Sequence, residues 1–185
     1  AGMRGGAWQS TVGTTLFGKT LGVVGLGRVG RRVAELGRAF GMDVVIWGSE
    51  ASRLRASADG YQVAESRETF FETCDVLSLH LRLTESTRAI VKPADLSRMK
   101  PTALIVNTSR AELIEEGALV GALNRGRPGL AAVDVFESEP VLQGHPLLRL
   151  ENAVCTPHIG YVEQDSYENY FGAAFDQVIN IVNGN

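Results

Sequence analysis

Apolar and polar positions fall into alternating blocks along this chain. Leu21, Val23 and Val24 read as a buried strand; Val29, Val33, Leu36 and Phe40 then recur at the spacing of one helix face, and Gly41 marks its stop. Val44-Val45-Ile46-Trp47 returns as a second strand. The stretch from Gly48 to Gly60 is polar and predicts no regular element. Beyond it, Tyr61-Gln62-Val63 reads as a short strand, Ser66 to Thr73 as a helix opened by Ser66, and Asp75 to Leu81 as a buried strand. A short helix closes over Ser97 to Pro101, and Ala103 to Asn107 is the next strand. Glu115 to Asn124 predicts a helix with Leu119, Val120 and Leu123 on its buried face. Gly129 to Asp134, rich in small residues, and Asn152 to Thr156 are the last strands, and Gln164 to Val182 predicts a long helix. Residues 1–19, rich in Gly, Thr and Ser, read as an irregular lead-in with Trp8 and Phe17 as packing points.

Strands alternating with helices, without hairpin signals, predict an α/β, Rossmann-like doubly wound parallel sheet covered on both faces. The turn between the first strand and helix is Gly25-Leu26-Gly27-Arg28-Val29-Gly30, the glycine spacing that holds a dinucleotide pyrophosphate. Gly25 permits the tight turn, Gly27 lets backbone approach phosphate, and Gly30 lets helix pack close on strand. In such sheets a ligand lies beyond the C-terminal strand ends. Ser49, His80, Asn107 to Arg110, Asp134 to Glu139 and His158 all fall at such ends. The expected division is a lead-in over 1–19, a dinucleotide-binding domain over 20–162, and a C-terminal helical segment over 163–185.

With 185 residues, 44% of them hydrophobic, the chain can bury a sizeable core in one domain. A net charge of −3 with both signs interspersed gives no basic surface for nucleic acid or a membrane. No apolar run approaches the roughly 18 residues of a bilayer span, and no signal peptide is visible. Cys74 and Cys155 lack metal-ligand spacing and read as small residues in or beside strands, so a cytoplasmic location is expected.

The motifs, in this order, resemble the D-isomer-specific 2-hydroxyacid dehydrogenase family. The resemblance rests on Gly25 to Gly30, on His80-Leu81-Arg82-Leu83-Thr84 followed by Thr87, and on Asn107-Thr108-Ser109-Arg110 with Leu113-Ile114. Asp134-Val135-Phe136-Glu137-Ser138-Glu139-Pro140 and Thr156-Pro157-His158-Ile159-Gly160 complete it. It implies a catalytic set of Arg110, Glu139 and His158, acting on a small 2-oxo or 2-hydroxy acid with NAD or NADP. A guanidinium can grip a planar carboxylate in a bidentate manner. A protonated imidazole can donate to the ketone oxygen as hydride arrives, and a carboxylate on that imidazole favours its charged form. Glu139, not Glu137, takes that role by resemblance, and Asp134 resembles the residue that holds the nicotinamide carboxamide. The cofactor contacts implied are Gly25, Gly27, Arg28, Val29, Gly30, Ser49, Glu50, Arg53, His80, Thr87, Thr108, Ser109, Arg110, Asp134, His158 and Gly160. His145 reads as a loop residue. Glu115-Glu116 and Arg31-Arg32 read as solvated helix faces.

Three departures from the family pattern stand out. Gly48 falls where NAD-preferring relatives carry an Asp that would repel a 2′-phosphate. With Arg53 nearby this leans to NADP tolerance, while Glu50 remains available to a ribose. Arg82 stands where many relatives have Pro. The family's substrate domain is built from segments largely outside this chain, so cofactor binding with poor turnover is expected, and the C-terminal helix either packs on this domain or faces that second one. Relatives of this type commonly form homodimers. The same scaffold also serves NADH-sensing co-repressors and sister dehydrogenases acting on formate, phosphite or sugar-acid derivatives.

Overall fold

The computed structural model describes residues 3–9 and 12–184; positions 1, 2, 10 and 11 of the expected lead-in lie outside the described residues. Seven parallel strands form one sheet in the order β3-β2-β1-β4-β5-β6-β7. They are β1 (Thr20–Val24), β2 (Asp43–Trp47), β3 (Gln62–Val63), β4 (Val76–Leu79), β5 (Leu104–Asn107), β6 (Leu130–Val133) and β7 (Ala153–Cys155). The order runs outward from β1 in both directions. The reversal lies between β1 and β4, paired in parallel with Gly22 opposite Leu77 and Val24 opposite Leu79. A crevice opens at such a reversal, beyond the carboxyl ends of the strands.

The helices are α1 (Arg28–Ala39), α2 (Glu50–Ala58), α3 (Arg67–Thr73), α4 (Pro93–Arg98), α5 (Ala118–Asn124) and α6 (Gln164–Val182). Two buried clusters flank the sheet. One gathers Phe70, Phe71, Leu77, Leu96, Met99, Ile105 and Leu113; the other gathers Leu21, Val23, Ala34, Val44, Ile46 and Tyr61.

Several helices differ from the pattern reading. On α1 the buried residues are Gly30, Ala34 and Gly37, whereas Val29, Leu36 and Phe40 are exposed. Small residues let this helix lie close to the sheet: a Cβ on Gly30 would collide with the carbonyl oxygen of Gly25. The stretch after Gly48 contains α2, capped by Ser49, whose hydroxyl accepts the Ser52 N–H at 3.3 Å. The low apolar content behind Ser49 leaves this helix without a periodic signal. Conversely, α5 begins at Ala118, because Gly117 at φ 70° breaks the chain out of helical geometry. Ser66 does open α3, accepting the Thr69 N–H at 3.0 Å.

Trp8 and Phe17, expected as packing points, are 73% and 77% exposed. The long helix α6 matches its expected span, but none of its residues is buried. Among the described residues no helix is long and apolar enough to cross a membrane, and no cluster of potential ligands could hold a metal ion.

Candidate active site

The glycine turn follows directly from β1. Gly25 adopts φ 91°, a conformation that disfavours any side chain, and its N–H donates to the Trp47 carbonyl at 2.8 Å. A Cβ there would meet Leu81 Cδ2 at 2.7 Å and the His80 carbonyl oxygen at 2.9 Å. Gly27, the N-cap of α1, differs: a Cβ there would meet nothing within 4 Å. The open space above Gly27 lies at the start of a twelve-residue helix, whose free N–H groups and dipole favour an anion.

A groove of two lobes runs along these strand ends. The larger, about 880 Å³, is lined by Gly27, Arg28, Val29, His80 to Leu83 and Thr108 to Arg110. The second, about 590 Å³, runs past Gly25, Trp47, Gly48, Ser49, Ser52, Arg55, Arg67, Phe71, Thr87 and Ile90. Gly27, His80, Leu81 and Arg82 border both lobes. Neither lobe is lined by an Asp or Glu, although the chain as a whole is acidic. A cradle of glycine backbone and a helix start, with arginines and no carboxylate along its walls, fits a dinucleotide phosphate.

Hydrogen bonds hold the groove's walls in shape. Asn107, 2% exposed, accepts the Ser109 N–H at 3.1 Å and donates to the Arg110 carbonyl at 2.8 Å. The Ser109 hydroxyl donates to the Leu79 carbonyl at 2.8 Å, tying the ends of β4 and β5 together. His80 Nε2 lies 2.8 Å from the Ser78 hydroxyl, and burial pushes the imidazole pKa down. A neutral His80 suits a wall better than proton transfer. The Thr87 hydroxyl donates to the Arg82 carbonyl at 2.6 Å and so shapes the turn that follows β4. Arg67 clasps Asp95 with two nitrogens at 2.7 Å each and also bonds the Ile90 carbonyl, fixing the outer wall.

The three candidate catalytic residues, Arg110, Glu139 and His158, meet at the far end. His158 Nδ1 donates to Glu139 Oε2 at 2.7 Å, and the other Glu139 oxygen accepts the Phe136 N–H at 2.9 Å. The bond from His158, then that from Phe136, hold the Glu139 carboxyl below its ordinary pKa, and Arg110 adds a favourable charge. A cavity of about 280 Å³ is lined by Arg110, Glu112, Glu137, Glu139 and His158. Glu137 pairs with His145, whose Nε2 lies 3.3 Å from its Oε2.

Asp134, at the end of β6 and 5% exposed, organises the loop carrying His158. Its carboxylate accepts the Thr156 hydroxyl at 2.5 Å and the N–H groups of Ile159 and Gly160 at 2.9 Å each. Burial alone would raise its pKa; the hydrogen bonds, Thr156 foremost, outweigh that and lower it. His158 itself sits at φ 52°, an uncommon value for a residue with a side chain, held by these contacts.

Of the residues expected at the cofactor, Gly25, Gly27, Arg28, Val29, Ser49, His80, Thr87, Thr108, Ser109 and Arg110 line the groove. Gly30 lies beneath it as a packing residue. Glu50 and Arg53 do not line it: Arg53 lies with its guanidinium carbon 4.9 Å from the centre of the Trp47 ring. His158 and Gly160 lie in the loop at the far end, which Asp134 holds from the end of β6. Arg55, Arg67 and Ser52 line the groove without having been singled out as cofactor contacts. Arg55 alone carried a signal, as a cation close after Gly48.

The D-isomer specific 2-hydroxyacid dehydrogenase NAD-binding domain model matches residues 1–160. A glyoxylate reductase from Aeropyrum pernix is 44% identical over 147 residues, 80% of this chain and 44% of that protein. The crystal structure of a candidate D-3-phosphoglycerate dehydrogenase from Ralstonia solanacearum superposes with a TM-score of 0.91 at 58% identity, covering 99% of this chain and 57% of that one. The NAD-complexed D-isomer specific 2-hydroxyacid dehydrogenase of Lactobacillus delbrueckii ssp. bulgaricus superposes at 0.73 with 25% identity, covering 94% and 55%. The chain thus spans about half the length of these proteins.

Proposed function

The chain belongs to the NAD-binding domain family of the D-isomer specific 2-hydroxyacid dehydrogenases, and from that premise we propose that it serves hydride exchange between NAD(H) or NADP(H) and a 2-oxo acid or its D-2-hydroxy acid. The observation that carries the proposal is the His158–Glu139 pair at 2.7 Å, facing the same cavity as Arg110.

Each residue has a stated task. Gly27 and the start of α1 receive the diphosphate, with Arg28 and Arg82 supplying positive charge beside it. A nicotinamide held in this groove would supply or accept the hydride. Arg110 grips the substrate carboxylate and so orients the adjacent carbonyl. His158, protonated on both nitrogens, keeps Nδ1–H on Glu139 and donates from Nε2 to the substrate oxygen as it gains negative charge. In the reverse direction the same Nε2 takes the hydroxyl proton. Glu139 stays ionised and stabilises the imidazolium.

The substrates named for the relatives suggest glyoxylate as the first 2-oxo acid to try. The same proposal includes a cytoplasmic site, consistent with two free thiols, and assembly as a homodimer. We expect this chain to bind cofactor with little turnover, because it spans about half the length of the relatives it matches. Titration with NADH, read by Trp47 fluorescence, should show saturable binding, while glyoxylate-dependent NADH oxidation stays slow. Failure to bind NADH would refute the cofactor role. Turnover as fast as that of a relative twice as long would refute the view that this site is incomplete.

A further inference from the structure

His145 occupies a loop between β6 and β7 and is not among the residues assigned to cofactor or substrate. Its surroundings are nonetheless specific. Nδ1 accepts the Leu147 N–H at 3.3 Å, which leaves the proton on Nε2, and Nε2 donates to Glu137 Oε2 at 3.3 Å. The ring meets Phe136 edge to face, with centroids 5.3 Å apart. Phe136 is 7% exposed, and its N–H is the group that bonds Glu139.

These contacts form one chain: His145 against Phe136, the Phe136 N–H on Glu139, and Glu139 on Nδ1 of His158. Segment 135–139 carries no helix or strand, so its own backbone does not fix where that N–H points. His145 grips two consecutive residues of it, the ring of Phe136 and the carboxylate of Glu137. Its bond to Leu147 anchors that grip to the short helical turn Pro146–Arg149, whose Leu147 is 5% exposed.

The geometry points to His145 as a positioning residue: through Phe136 and Glu137 it holds Glu139 on Nδ1 of His158. It touches neither substrate nor cofactor. The inference rests on the His158–Glu139 pair proposed above, and its test separates the two.

The readout is the tautomer of neutral His158, taken from imidazole 15N shifts of the chain, which holds three histidines. Glu139 as acceptor enforces the Nδ1–H form, whereas a free imidazole in water prefers Nε2–H. The wild-type chain should show Nδ1–H at His158, and Glu139→Gln should lose that preference. His145→Ala should shift the population toward Nε2–H. His145→Asn keeps an oxygen for the Leu147 N–H, and so the helical turn, but lacks the ring; it should shift the population the same way. Disrupted folding would appear as lost amide dispersion in His145→Ala, and His145→Asn then decides. A wild-type spectrum in both His145 variants, with Glu139→Gln altered, would overturn the positioning role alone. No difference between wild type and Glu139→Gln would remove the pair and the positioning role together.

Discussion

Glu139 divides its carboxylate between two donors, taking the Phe136 N–H on one oxygen at 2.9 Å and His158 Nδ1 on the other at 2.7 Å. An amide at this position keeps an oxygen for one donor but presents a second donor to the other. In a protein with the complete cleft, Glu139→Gln should therefore cost about a hundred- to ten-thousandfold in kcat, with NADH binding unchanged. Steady-state rates beside a cofactor titration check both halves. A loss of NADH affinity equal to the loss of rate would contradict the assignment.

The carboxyls of Glu139 and Asp134 both lie below their ordinary pKa in the folded chain. The unfolded chain therefore binds more protons as pH falls. Their contribution to stability is full above the ordinary carboxyl range, about pH 4, and is lost as pH drops through the folded-state values. Urea unfolding from pH 6 downward should show stability declining on the acid side. Asp134→Asn should flatten that decline while lowering stability at pH 6, because the amide loses charge-assisted bonds from Thr156, Ile159 and Gly160. A slope unchanged by the substitution would contradict the Asp134 part.

Gly27 and Gly30 are three residues apart and should fail in opposite ways. A Cβ at Gly27 meets nothing within 4 Å, whereas one at Gly30 collides with the Gly25 carbonyl. Gly27→Ala should leave stability within about 0.5 kcal/mol. It should also weaken NADH binding by roughly tenfold or more, since its methyl group occupies the phosphate approach. Gly30→Ala should lower stability by about 1–3 kcal/mol through overpacking. Thermal melts and NADH titrations on both variants distinguish the two roles.

That contrast also shows what the sequence could and could not convey. The spacing of Gly25, Gly27 and Gly30, the apolar strand runs and the polar strand ends were readable, because each follows from local geometry with a fixed period. The choice of Glu139 over Glu137 came from resemblance alone, and the structure supplies its reason in the bond to His158. The buried face of α1 was not readable: Gly30, Ala34 and Gly37 carry almost no hydrophobic signal, yet close approach to the sheet selects them. The sequence reading placed Arg53, the cation nearer Gly48, at the cofactor. Only the direction of the α2 face puts Arg55 along the groove and Arg53 over Trp47.

From that difference follows a test of cofactor choice. Gly48 carries no carboxylate, and a Cβ there would already crowd the Ser52 hydroxyl at 3.2 Å. With Arg55 lining the same lobe, a 2′-phosphate meets no repulsion and finds a cation close after Gly48. Arg55→Ala should weaken NADPH binding by roughly tenfold, about 1.4 kcal/mol, with less effect on NADH. Arg53→Ala should alter Trp47 emission and leave the NADPH-to-NADH ratio unchanged. The reverse pattern would return the phosphate contact to Arg53.

The helix α6 presents the remaining exposed surface of consequence. Tyr167, Phe171 and Phe175 stack in a row along it, with ring centroids 5.7 and 6.5 Å apart, and Phe171 and Phe175 are 54% and 63% exposed. Val178, Ile179 and Val182 continue the apolar surface, each more than half exposed. A helix this apolar with no buried residue favours any partner that removes it from water. The chain should therefore self-associate with rising concentration and bind a hydrophobic dye. Phe171→Glu with Phe175→Glu should abolish both, without changing NADH affinity, since α6 lines neither lobe of the groove. Sedimentation velocity of the two chains across a concentration series gives the comparison. Unchanged association in the double variant would move the self-contact elsewhere, with the exposed Trp8 and Phe17 the next surface to alter.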